Sequence, residues 1–118
     1  MAVGIGPFVI GPAVERKIGL SAYSQMSLDA SNWYSADWAL EKGLYTKVFD
    51  TVEEMDSYID TFSSHLSTMN PEALDQLKSV FWQGTENWDA LLEERAEMSG
   101  TLVLSKFSKE TIKKFLNA

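Results

Sequence analysis

No cysteine occurs in this 118-residue chain, which removes disulfides, thiolate nucleophiles and zinc–cysteine sites together. Histidine occurs once, as His65, so no His-rich metal site and no pair of histidines for acid–base work is available. Nothing approaches eighteen consecutive apolar residues, so no membrane-spanning helix is expected. The N-terminus has no basic stretch before an apolar run, and a secretory signal is not expected. Basic residues are scarce as well: ten Lys and Arg against seventeen Asp and Glu, a net charge of −7. These absences together point to a soluble, cytoplasmic protein that uses neither nucleic acid nor membrane as a partner.

What is present is apolar. Hydrophobic residues make up 45% of the chain, enough to set it apart from a disordered tail. The charge is uneven. Residues 1–105 carry six Lys/Arg and sixteen Asp/Glu, a net of −10, whereas residues 106–118 carry four lysines against Glu110, a net of +3. An acidic bulk offers phosphates no face on which to release counterions, which argues against duplex DNA. The basic end suits either a small phosphorylated ligand, an acidic neighbour or a solvated helix end with lysines placed to match its dipole.

The local signals are those of helices. Pro12 follows Gly11 and suits a first helical turn, with Gly19 expected to break the run that follows into two. Ser35 is placed to cap a two-turn helix that Gly43 closes. LYTKVF, residues 44–49, is the one strand-like run. Thr51 and Glu54 form a capping-box pattern ahead of a clean apolar stripe: Val52, Met55, Ile59, Phe62, Leu66 and Met69. Asn70-Pro71 ends that helix and starts another. A second stripe runs from Leu74 through Leu77, Phe81, Gly84, Trp88, Leu91, Arg95 and Met98 to Leu102, with a joint at Gly84-Thr85 where Thr85 is expected to cap anew. A last short helix begins near Ser108 and is expected to bury Ile112, Phe115 and Leu116. The fold class is therefore mainly α, antiparallel helices with one short strand-like segment. Residues 1–118 read as a single region: a Gly/Pro-rich loop over 1–11, short helices and the strand-like run over 12–50, and helices over 51–118.

Sites of chemistry are harder to find. GPFVIGPA has the glycine spacing of a phosphate-binding P-loop, but Pro12 stands in the lysine position and no Ser or Thr follows it. A dinucleotide fingerprint fails at Val9. His65 has no carboxylate one turn away to orient its ring. Glu93, Glu94 and Glu97 lie among Arg95 and other polar residues, as on a solvated helix face, and Glu-x-x-His, the di-metal bundle motif, is absent. No catalytic or metal-binding residue emerges. The four tryptophans, Trp33, Trp38, Trp82 and Trp88, are read as core or as stacking surface.

The ordered set of segments nevertheless resembles the enoyl-CoA hydratase/isomerase (crotonase) family. VGIGPFVIGPAVERKIG looks like that family's Gly/Pro-rich loop and the helix ending in Ile18-Gly19. SADWALEKGLY followed by KVFD looks like its segment leading to a short strand, and Asn70-Pro71-Glu72-Ala73 like its helix-ending turn. Lys114-Phe115-Leu116 looks like its C-terminal segment. The resemblance spans nearly the whole chain but only the C-terminal part of a family member. It implies that Gly4, Gly6, Pro7 and Phe8 form a wall of the acyl pocket. It also implies that the helices over 51–118 are an oligomerisation region packing across subunits in a trimer or hexamer, with Lys106, Lys109, Lys113, Lys114 and Phe115 approaching the CoA of a neighbouring subunit. The family needs no cofactor beyond the CoA thioester it transforms. Its catalytic glutamate and its oxyanion-hole amides would fall before Met1, so this chain is expected to be silent alone. The alternative expectation is an independent helical interaction or oligomerisation module.

Overall fold

A computed structural model describes residues 3–116. Its helices are α1 (Gly11–Leu28), α2 (Ala36–Glu41), α3 (Val52–Ser67), α4 (Pro71–Phe81), α5 (Trp88–Val103) and α6 (Lys106–Leu116). The mainly α class holds, and among the described residues no strand forms. Residues 44–49 are irregular instead. A strand needs a neighbour to take its backbone hydrogen bonds. Here the Leu44 and Tyr45 amides both donate to the Ala39 carbonyl, at 2.8 and 3.1 Å, which folds the segment back on α2.

Helix ends follow local chemistry closely. Ser35 Oγ accepts from the Trp38 amide at 3.1 Å, and Gly43, at φ +77°, closes α2. Thr51 Oγ1 accepts from the Glu54 amide at 3.2 Å. The return arm of that box lands one residue early: the Asp50 amide, rather than that of Thr51, donates to Glu54 Oε2 at 3.3 Å. Asn70 Oδ1 accepts from the Glu72 and Ala73 amides, with Pro71 at the first helical position. Gly19 breaks α1 as expected, with φ 77° and ψ 161°.

Three expectations need correction. Thr85 does not cap α5 with its hydroxyl; Thr85 Oγ1 donates back to the Trp82 carbonyl at 2.7 Å and tightens the turn around Gly84. α6 starts earlier than expected, at Lys106. Ser105 is its cap, accepting from the Ser108 amide at 3.2 Å. The face of α6 that turns inward is also different. Ser108 is fully buried and Ile112 half-buried, whereas Phe115 and Leu116 stay 66% and 80% exposed.

Two compact units divide the chain. The first takes the chain up to Thr46 together with everything from Asp89 onward, and the second is Lys47–Trp88. The sequence reading placed its divisions at 11/12 and 50/51. The expected stripe from Leu74 to Leu102 is thereby shared between the units, because the turn at Gly84 (φ +81°) separates α4 from α5.

In the first unit Gly4 sits so close to α6 that a Cβ there would lie 2.7 Å from Ser108 Oγ. Tyr23 on α1 donates to the Pro7 carbonyl at 3.0 Å. Ala22 and Ala39 are the buried apolar side chains among the described residues. In the second unit α3 and α4 form a helical hairpin in which no residue is buried. Among the described residues no helix is long and apolar enough to cross a membrane.

Candidate functional site

A groove of about 700 Å³ lies within the first unit. One wall is the opening loop, including Ile5, Gly6 and Pro7; the other is the segment from Trp33 to Trp38. Each wall is held by identifiable bonds. The loop is tied to α1 by Tyr23 and its own turn is closed by the Phe8 amide donating to the Gly6 carbonyl at 2.9 Å. On the other side, Asp29 accepts from Asn32 Nδ2 at 2.6 Å and from the Tyr34 hydroxyl at 3.0 Å. These bonds fold residues 29–34 into a bracket after α1, with Trp33 at its tip, fully exposed.

Tyr34 and Trp38 pack ring to ring, 4.3 Å between centroids and tilted by 43°. Desolvation pushes the Tyr34 hydroxyl above its ordinary value, and the hydrogen bond to Asp29 and that carboxylate's charge push the same way. The phenol therefore stays protonated as a donor through the neutral range.

Among the described residues, the groove lining contains no carboxylate, histidine or lysine. Its polar side-chain groups are serine and tyrosine hydroxyls, the Asn32 amide and the indole N–H groups of Trp33 and Trp38. Such a lining can hold an apolar or flat group and orient it.

The residues singled out in the sequence distribute unevenly. Gly6 and Pro7 line the groove. Gly4 instead forms a turn at φ +79° against Phe107 and Ser108, and Phe8 folds over Gly6 toward a small cavity of about 70 Å³ shared with Glu15 and Arg95. Lys106, Lys109, Lys113, Lys114 and Phe115 all lie on α6, exposed, and none lines the groove. Lys106 Nζ is 3.8 Å from Glu110. His65 is exposed on α3, and Glu94 and Glu97 border a shallow depression on α5. No group of three His, Cys, Asp or Glu side chains capable of holding a metal occurs among the described residues. The bracket of Asp29, Asn32 and Tyr34 was missed in the sequence, although Asp-x-x-Asn is a usable turn signal.

No protein-family model matches the chain, and neither a curated protein nor a solved structure is significantly similar to it.

Proposed function

We propose that this chain is the C-terminal helical portion of an enoyl-CoA hydratase/isomerase-like protein, acting in the cytoplasm on an acyl-CoA and silent on its own. The observation that carries the reading is the groove: the loop assigned by resemblance to the acyl-pocket wall supplies Gly6 and Pro7 to it. In the parent reaction, water adds to the acyl-CoA or its double bond shifts, through an enolate held by two backbone N–H groups. Those amides and the catalytic carboxylate would come from a preceding segment.

The burial pattern supports the same reading. Two dozen large hydrophobic side chains are more than a third exposed, against Ala22 and Ala39 in the core. A self-sufficient domain of this length hides far more of its apolar surface. Such exposure fits a layer awaiting another layer.

The test is capture of the native product from source cells with an antibody to this chain, followed by its mass and an enoyl-CoA assay. A product well above 13.2 kDa that hydrates or isomerises an enoyl-CoA is expected. A product of that mass with no acyl-CoA turnover would overturn the reading in favour of an independent interaction module.

A further inference from the structure

The groove of the first unit is walled by the electron-rich aromatic side chains. Two of the four tryptophans, Trp33 and Trp38, and two of the four tyrosines, Tyr34 and Tyr45, line it, and none of the six phenylalanines does. Trp33 is fully exposed, an open indole face that packing within the unit does not account for. Tyr34 and Trp38, both half-buried, meet at 43° and form an aromatic corner in the wall. From this lining and the charge around it we propose that the groove binds a quaternary ammonium cation of the choline type. The inference stands on the groove's own rings and charges and does not rest on the acyl-CoA reading.

Charge selects the ligand. A cation held over the face of Trp or Tyr is attracted by the ring quadrupole, and methyl groups on nitrogen lower the cost of leaving water. The Tyr34 hydroxyl donates to the Asp29 carboxylate at 3.0 Å, so a negative charge stands behind that ring and strengthens its π face. Among the described residues no Lys, Arg or His lines the groove. Between residues 29 and 45, Asp29, Asp37 and Glu41 outnumber one cation, Lys42, which is itself paired with Glu41 at 2.7 Å. Several polar groups of the wall are engaged within the chain. Asn32 Nδ2 donates to Asp29, Ser27 Oγ donates to the Tyr23 carbonyl at 2.8 Å, and Ser35 Oγ accepts from the Trp38 amide. A sugar gains little from such groups, whereas a quaternary ammonium has no N–H to satisfy and needs only ring faces. A phosphate next to the cation would find no positive partner, which favours choline over phosphocholine.

The test titrates choline, phosphocholine and neohexanol (choline with carbon in place of its nitrogen) into the full chain at constant ionic strength. Calorimetry gives the affinities, and nuclear magnetic resonance of the tryptophan indole N–H groups gives the place. Choline is expected to shift the Trp33 and Trp38 signals saturably. Trp82 and Trp88, which pack edge to face at 5.8 Å in the second unit, should stay unmoved. Choline should bind about ten-fold or more tighter than neohexanol, and tighter than phosphocholine. Trp33→Leu and Trp38→Leu keep an apolar side chain but remove a π face, and each should erase most of that preference. Circular dichroism checks the fold of each variant, and if Trp38→Leu unfolds, the fully exposed Trp33 decides alone. No saturable shift, equal affinity for choline and neohexanol, or an unchanged preference in Trp33→Leu would overturn the inference. So would shifts confined to Trp82 and Trp88. Tighter binding of phosphocholine would overturn the choice of occupant and give the groove to a phosphorylated headgroup.

Discussion

Tyr23 and Gly11 occupy each other's space: a Cβ on Gly11 would collide with the Tyr23 hydroxyl, the same group that donates to the Pro7 carbonyl at 3.0 Å. One hydroxyl thus closes the loop and sets the residue type at the start of α1. Tyr23→Phe should lower stability by about 1 kcal/mol, the net worth of one such hydrogen bond. Gly11→Ala should cost more, and part of that cost should vanish when Tyr23→Phe is already present. Urea unfolding of the two single variants and the double variant would measure the coupling.

Two glycines in helices should respond to alanine in opposite directions. Gly19 has open space around it, but its φ of 77° and ψ of 161° belong to a region that side chains avoid. Gly19→Ala is expected to cost about 1–3 kcal/mol, from backbone strain alone. Gly100 lies within α5 at an ordinary helical φ with nothing near its missing Cβ. Gly100→Ala should therefore add about 0.5–1 kcal/mol by restricting the unfolded chain. Thermal unfolding of both variants would show the two signs.

The caps of the hairpin are expected to weigh unequally. Asn70 serves two amides and sits beside Pro71, whereas Thr51 serves one. Each alanine substitution should cost about 1 kcal/mol, with Asn70→Ala the larger. Helix content followed against urea would rank them.

Alkaline pH should act through Tyr34. Its folded-state hydroxyl titrates above the ordinary value of 10.0, first through desolvation and then through Asp29. The folded protein therefore holds this proton more tightly than the unfolded chain. The associated stability is complete below pH 10 and falls as pH rises from there through the folded-state value. An ultraviolet titration should show a late-ionising step that belongs to Tyr34. Tyr34→Phe should remove that late step and flatten the alkaline loss of stability. An unchanged profile in Tyr34→Phe would place the effect elsewhere.

Much of the helix pattern was legible because it is decided within a few residues. Ser35, Thr51, Asn70, Pro71 and Gly43 do their work on amides and carbonyls two to five positions away. Where long-range neighbours decide, the sequence misled. Residues 44–49 have strand-like side chains but no partner edge, so the amides of Leu44 and Tyr45 turn to Ala39. Periodicity marked the apolar face of α6 but could not say which part is covered, and Ser108 rather than Phe115 faces inward. The groove was half legible. Gly6 and Pro7 stood out, while the opposite wall depends on Asp29 gathering Asn32 and Tyr34, bonds that composition does not display.

The close approach of Gly4 to Ser108 has a consequence for how the chain is made. Residues more than a hundred positions apart must meet before the first unit is complete, so during synthesis the opening loop emerges long before its support exists. The Lys47–Trp88 hairpin can wind from local contacts while the ribosome is still working. The groove's lining lies within the first 45 residues, and what waits for α6 to leave the exit tunnel is the seating of Gly4 against Phe107 and Ser108, a late event governed by loop closure rather than by helix formation.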